Sequence, residues 1–151
     1  KLMIITPPNS EITAEIIETN IGISKDFNNF ELTNALAKKD ILKCNRIANY
    51  FAQNPKNNPF IVSVSVIFNF FQKILLYHTL TNKSNSNVAR VLNVNPYFIK
   101  DYQIAAMNYN KRKSMDIIGL CRIYDMKSKG VDNHSINEGE LLKEFLFKIL
   151  H

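Results

Sequence analysis

From Phe60 to Thr81 no Gly, Asp or Asn turn divides the chain, and its first twelve residues are apolar almost all round. Whatever this sequence folds into must house that segment. A membrane span, a pair of strands and a central buried helix are the three candidates. A span needs ~20 predominantly apolar residues, whereas Asn69, Gln72, Lys73 and His78 interrupt the second half. The β-branched residues Val62, Val64, Val66 and Ile67 favour a strand locally, but nothing in the segment can turn a hairpin. The remaining reading is a long central helix opened by Pro59.

A buried helix needs other elements to cover it. The chain has 151 residues and is 46% hydrophobic, enough for one domain, or for one domain with a fragment of another. That composition excludes a disordered tail. Only four glycines occur, well below the usual ~7%, so turns that need positive φ must be scarce or must use the abundant Asn. Helices fit this better than hairpins. Cys44 and Cys121 fall inside helical patterns with no second thiol at ligand spacing, which reads as two buried, reduced thiols in a cytoplasmic protein. The net charge of +6 permits an acidic partner, but the excess of Asn, Lys and Ile fits an AT-rich coding sequence, which discounts part of it. The chain opens on Lys without a signal-peptide order of basic, apolar and small residues, and reads as a piece of a longer protein.

The remaining segments also read as helices. Leu2 to Ile5, stopped by Pro7 and Pro8, looks like the end of an element, and Thr13 to Gly22 like a short helix with both ends marked. Ile23 to Asn28 is polar and aperiodic, a linker, and places a boundary between residues 1–24 and a domain at 25–151. Asn28 or Asn29 can cap a helix carrying Phe30, Leu32, Ala35 and Leu36, and Asp40 the next, with Ile41, Cys44, Ile47, Ala48 and Phe51 at helical spacing. Asn54-Pro55 ends that αα-hairpin. After the central helix and a loop from Thr81, Ser86 or Asn87 caps a short helix through Leu92, and Pro96 starts another through about Tyr109. Asn110 caps a further helix that runs to Lys129 and is closed by Gly130, with Met115, Ile118, Cys121, Arg122 and Asp125 on one flank and Ile117, Leu120 and Tyr124 on the other. Asn137 and Glu140 form a capping-box pair before the wide stripe of Leu141, Leu142, Phe145, Leu146, Ile149 and Leu150. The expected fold is all-α, a bundle of about six to seven helices.

No catalytic constellation emerges. Gly22, Gly119, Gly130 and Gly139 never cluster into a phosphate-cradling turn, so no nucleotide cofactor is expected. His78, His134 and His151 stand apart from one another and from the cysteines, so no metal is expected either. Neither cysteine has the flanking cation and base of a nucleophile. Glu138 and Glu140 lie at a helix start, where capping and the helix dipole explain them.

Two features point to binding. In Val88 to Gln103, the residues Ala89, Leu92, Val94 and Ile99 match the buried positions of a helix-turn-helix, with Asn93 where glycine is usual. Its second helix offers DNA only Tyr97, Lys100, Asp101 and Gln103, a thin and partly acidic set. Lys111, Arg112 and Lys113 crowd a helix start, where positive charge opposes the dipole, so a phosphate or an acidic neighbour is one reason for them. With Lys100 they are the candidate nucleic-acid contacts. Lys38, Lys39, Lys127 and Lys129 lie at helix C-termini, where the dipole alone accounts for them.

The order of landmarks resembles a family. Ile12-Thr13-Ala14-Glu15 leading to Gly22, then Phe30-Glu31-Leu32, Ala35-Leu36 and Lys39-Asp40, is similar to the junction between the lid and C-terminal domains of the bacterial DNA polymerase III delta subunit, a clamp-loader component. Val88-Ala89-Arg90-Val91-Leu92, Val94-Asn95-Pro96-Tyr97-Phe98-Ile99, Tyr124-Asp125-Met126-Lys127-Ser128-Lys129-Gly130 and Glu140-Leu141-Leu142 follow in that family's order and spacing. Asn93 departs from its usual glycine. The resemblance implies that 1–24 ends an AAA+-like lid without ATPase activity and that 25–151 is the helical collar domain. It also implies assembly with gamma or tau and delta-prime subunits, a sliding clamp met through an N-terminal domain absent from this chain, and primed DNA met by the whole complex. No membrane partner is implied. The family belongs to a polymerase holoenzyme, yet no activity is expected of this chain itself. A collar helix must bury a second face against a neighbour, which would explain a segment as apolar as Phe60 to Phe71 and makes Leu142, Phe145, Leu146 and Ile149 candidate interface residues, with ordinary core packing the other explanation for both stripes. The alternative is a stand-alone DNA-binding domain built on Val88 to Gln103.

Overall fold

The structure, a computed structural model, describes residues 27–131 and 137–151. The proposed stub at 1–24, with its short helix, and His134 lie outside the described residues. Within them the chain forms α1 (Asn29–Ala37), α2 (Ile41–Gln53), α3 (Phe60–Thr79), α4 (Asn85–Leu92), α5 (Ile99–Asn108), α6 (Lys111–Ser128) and α7 (Glu138–Leu150), with a 3₁₀ turn at Pro96–Phe98 leading into α5. The expected all-α bundle is what forms, with no strand among the described residues.

Short polar side chains start most of these helices, because each satisfies a backbone N–H that the first turn leaves open. Asn28 accepts from the Glu31 N–H at 2.8 Å, Asp40 from Lys43 at 3.1 Å, Asn110 from Lys113 at 2.7 Å and Asn137 from Glu140 at 2.8 Å. All four starts agree with the sequence reading. Two others differ. Pro59 occupies the cap position of α3, one residue outside the first turn, and a Glu138 carboxylate oxygen accepts from the Phe60 N–H at 3.3 Å. Helix α4 begins at Asn85 behind Ser84, ahead of the expected Ser86 or Asn87. Asn82 organises that start: its side chain accepts from the Ser84 N–H at 3.0 Å, and its carbonyl accepts from the Asn87 amide at 2.7 Å.

Three helices end by the same device. Lys39, Asn93 and Gly130 have φ of 51°, 55° and 91°, and beyond each the chain bonds back to the helix: Asp40 N–H to Ala35 C=O, Val94 to Ala89 and Val131 to Met126. These left-handed closures satisfy carbonyls that would otherwise be orphaned. Asn93 and Gly130 play the parts expected of them, while Lys39 takes a third left-handed turn.

Helix α3 is the hub, touching α1, α4, α5, α6 and α7. It is long and apolar enough to cross a membrane by length and composition alone, but here it packs Phe60, Val64, Ile67, Phe71 and Ile74 into the core of the bundle. It runs antiparallel to α6: His78 Nε2 stands 2.8 Å from the Tyr109 carbonyl at one end, and Val64 and Arg122 meet along one groove toward the other. Helix α7 closes the core against α2, with Phe145 edge-on to Phe60 and tilted against Tyr124. Each such large side chain fully withdrawn from water stabilises the fold by about 1.5–3 kcal/mol. Val88, Leu92 and Ile99 form a small second cluster under Tyr77, Leu80 and Val94, which fixes α4 to the start of α5. Phe27, assigned from sequence to the linker, is half-buried with its ring 5.2 Å from Tyr50.

The faces of α6 follow the expected flanks in part, since Ile118, Cys121, Arg122 and Asp125 line one side together. Ser114, Ile117, Cys121 and Tyr124 are buried together, and Met115 is 54% exposed. Cys121 is buried with Ile117 and Tyr124, whereas Met115 is not.

Candidate protein-docking groove

The residues offered as chemistry are accounted for by packing. Cys44 and Cys121 are buried thiols whose pKa values burial pushes up to about 12; at Cys44 the nearby Asp40 charge adds to this and Lys43 opposes it. Thiols so placed are poor nucleophiles. His78 is tied to the Tyr109 carbonyl, and His151 lies against the Phe147 ring at 4.5 Å. No group of three or more His, Cys, Asp or Glu is placed to hold a metal among the described residues.

The basic candidates separate. Lys113 reaches across to the Lys148 carbonyl at 3.3 Å. It therefore serves the negative end of α7, which explains a cation at the start of α6 without a phosphate. Lys111 and Arg112 are exposed, as is Lys100. Lys127 pairs with Glu144 at 3.4 Å and Lys129 with Asp125 at 3.1 Å, so the cations at the end of α6 have partners inside the chain.

Helix α4, the turn at Asn93 and α5 have helix-turn-helix order, but α5 is committed to the bundle. Tyr102 packs on Phe70 at 5.1 Å, and beyond it the Asn108 amide and the Tyr109 hydroxyl donate to the Ala37 and Leu36 carbonyls, each at 2.7 Å. In α5 and its leading turn Tyr97 and Met107 are almost fully exposed, and the exposed Lys100 is the single cation of that stretch. That is little for reading a polyanion.

Leu142, Phe145, Leu146 and Ile149 are all buried in the domain's own core, against α2 and the Phe60 end of α3. The side of α7 left to solvent carries Phe147 and Lys143. An unpartnered apolar surface lies elsewhere. Between α3 and α6 runs an open groove of about 600 Å³ lined by Val64, Ser65, Phe68 and Asn69 from one helix and Ile118, Gly119, Cys121, Arg122 and Asp125 from the other. Ile61 and Val62, 40% and 44% exposed, extend it along α3, and Met115 and Met126 flank Arg122 on α6. A Cβ added at Gly119 would meet nothing within 4 Å.

This surface follows from sequence spacing. Ile61, Ser65, Phe68, Gln72 and Leu76 recur at three- and four-residue steps and share one side of α3. Sequence reading left core packing and a second face for a neighbour both open for this apolar run, because periodicity in a nearly all-apolar segment cannot tell which stripe stays uncovered. The signal was the set of Ser65, Asn69 and Gln72, which marks the uncovered side.

No family model and no curated protein matches the chain. A solved structure, that of the Bacillus subtilis DNA clamp loader delta protein (YqeN), is similar, with 22% sequence identity and a TM-score of 0.66. The match covers 99% of this chain and 43% of that one, so the chain spans less than half the length of its structural neighbour. These seven helices have the fold of part of a DNA clamp loader delta protein.

Proposed function

We propose that this chain is a non-catalytic assembly domain of a bacterial clamp loader. In this reading residues 25–151 form the helical collar of a delta-type subunit and residues 1–24 end its lid domain. The domain would join gamma or tau and delta-prime subunits in the cytoplasm, and so support sliding-clamp loading and processive replication. The observation that carries the reading is the fold shared with the delta protein over 99% of this chain. The unpartnered apolar face along α3 and α6 supports it, since exposed apolar surface that also carries Arg and Met is the composition of a protein interface.

Mixing the chain with gamma or tau and delta-prime subunits, followed by gel filtration, tests this directly. The expected result is co-elution in one complex. A parallel titration with short duplex DNA across salt concentrations addresses the helix-turn-helix alternative: tight, sequence-dependent binding by the chain alone would overturn the assembly reading.

A further inference from the structure

We infer that the α3/α6 groove receives one amphipathic helix of a neighbouring clamp-loader subunit, and that this helix brings a carboxylate to Arg122. The inference rests on the assembly reading above. Two antiparallel helices leave a trough, and the stretch lined by Val64 to Asn69 and by Ile118 to Asp125 is about 9–12 Å long, room for about two turns of a third helix. Val64 and Cys121 form an apolar floor, while the missing side chain at Gly119 lowers the α6 wall so that a partner backbone can approach.

Charge fixes the sign of the occupant. Two charged residues line the groove, and Asp125 is engaged by Lys129 at 3.1 Å. Arg122 makes no ion pair among the described residues. A guanidinium beside an apolar floor gains most from a carboxylate that water does not also solvate, and its planar fork favours two parallel hydrogen bonds. At the far end of α6, Lys111 and Arg112 outnumber the neighbouring Asp116 and leave that end net positive. An apolar stripe with a Glu or Asp on its flank meets all of these demands, whereas a basic helix would meet repulsion.

The full chain should be titrated against gamma or tau and delta-prime subunits by calorimetry, with four variants. Gly119→Trp fills the groove from an exposed helical position with open space around it, so the fold should persist with an unchanged melting temperature. Gly119→Trp and Arg122→Glu are expected to weaken binding by about tenfold or more, while Arg122→Lys, which keeps the charge, loses less. Leu42→Asp, on the exposed side of α2, should bind as the parent does. If the parent chain binds and both groove variants bind equally well, the groove proposal is overturned and the assembly reading stands. If the parent chain binds none of these subunits, the assembly reading itself falls, and the proposed occupant with it.

Discussion

Gly139 sets how closely α2 and α7 can approach. A Cβ placed there would stand 2.6 Å from the Ala52 Cβ and 3.1 Å from its Cα, so Gly139→Ala must push the two helices apart. It should destabilise the protein by about 1–3 kcal/mol in urea unfolding. In an Ala52→Gly background the same change should cost less, and equal costs in the two backgrounds would show that the helices do not touch there. Gly130 differs, since open space surrounds it and only its φ of 91° demands glycine, so Gly130→Ala should cost about 1 kcal/mol through backbone strain. The two roles were unequally legible. A glycine closing a periodic helical stretch announces itself in sequence, as does Asn93 after Leu92. The Gly139 contact joins residues far apart in the chain, and nothing local to either one reveals it. Lys39 was missed for another reason: lysine has no preference for left-handed geometry, and the short link between α1 and α2 imposes it.

Between elements, the joints depend on side chains that finish the ends of other helices. The Tyr109 hydroxyl and Asn108 amide serve the last carbonyls of α1, and Lys113 serves those of α7. Replacing Tyr109 by Phe removes that donor while the Leu36 carbonyl keeps the Lys39 N–H at 3.0 Å, and should cost about 0.5–1.5 kcal/mol, read as a lower urea midpoint at unchanged slope. The α6–α7 joint is also sensitive to acid. Glu144 accepts from the Tyr124 hydroxyl at 2.6 Å, and that bond, with the charges of Lys127 and Lys148, holds its carboxyl below the usual carboxylate range, although partial burial works the other way. A carboxylate with a depressed folded pKa adds stability above its unfolded pKa of about 4.3 and loses it as pH falls through the lower folded value. The stability gap between the parent and Tyr124→Phe should therefore narrow as pH drops below that range. A gap constant from pH 6 to pH 2 would remove Glu144 from the account. Helix starts such as Asp40, Asn110 and Asn137 could be read locally because one short polar residue stood at the head of the helical pattern, and at α1 the choice narrowed to Asn28 or Asn29. At α4 the run Ser84-Asn85-Ser86-Asn87 offered several equivalent caps, and the choice was made by Asn82 bonding to both sides of it.

At the scale of the whole molecule, the all-α class and the central place of α3 followed from one long apolar segment and a shortage of turn residues. Which stripe of that segment stays uncovered did not, because it depends on where the other described helices settle. The wide stripe of α7 shows the same limit in reverse: it suggested a surface for a neighbour, and the fold consumes it. Burial on this scale also makes the molecule sensitive to alkali. Tyr109 and Tyr124 lie in the core with phenol pKa values raised above their ordinary 10, by burial first and then by the nearby Cys44 and Glu144 respectively. Cys44 and Cys121, at about 12, lie above the ordinary thiol. For all four groups the folded pKa exceeds the unfolded one, so the native state holds protons that the unfolded chain releases. Their contribution is complete below the unfolded values of about 8.5 for thiols and 10 for phenols, and it drains away as pH rises through them toward the folded values. The melting temperature should stay level from pH 7 to about pH 8, decline from about pH 9 and fall more steeply beyond pH 10, where the phenols join the thiols. Both thiols should resist a disulfide reagent at pH 8 until the chain unfolds, and prompt reaction in the folded state, or a melting temperature indifferent to pH between 8 and 11, would contradict a core that closes over these four side chains.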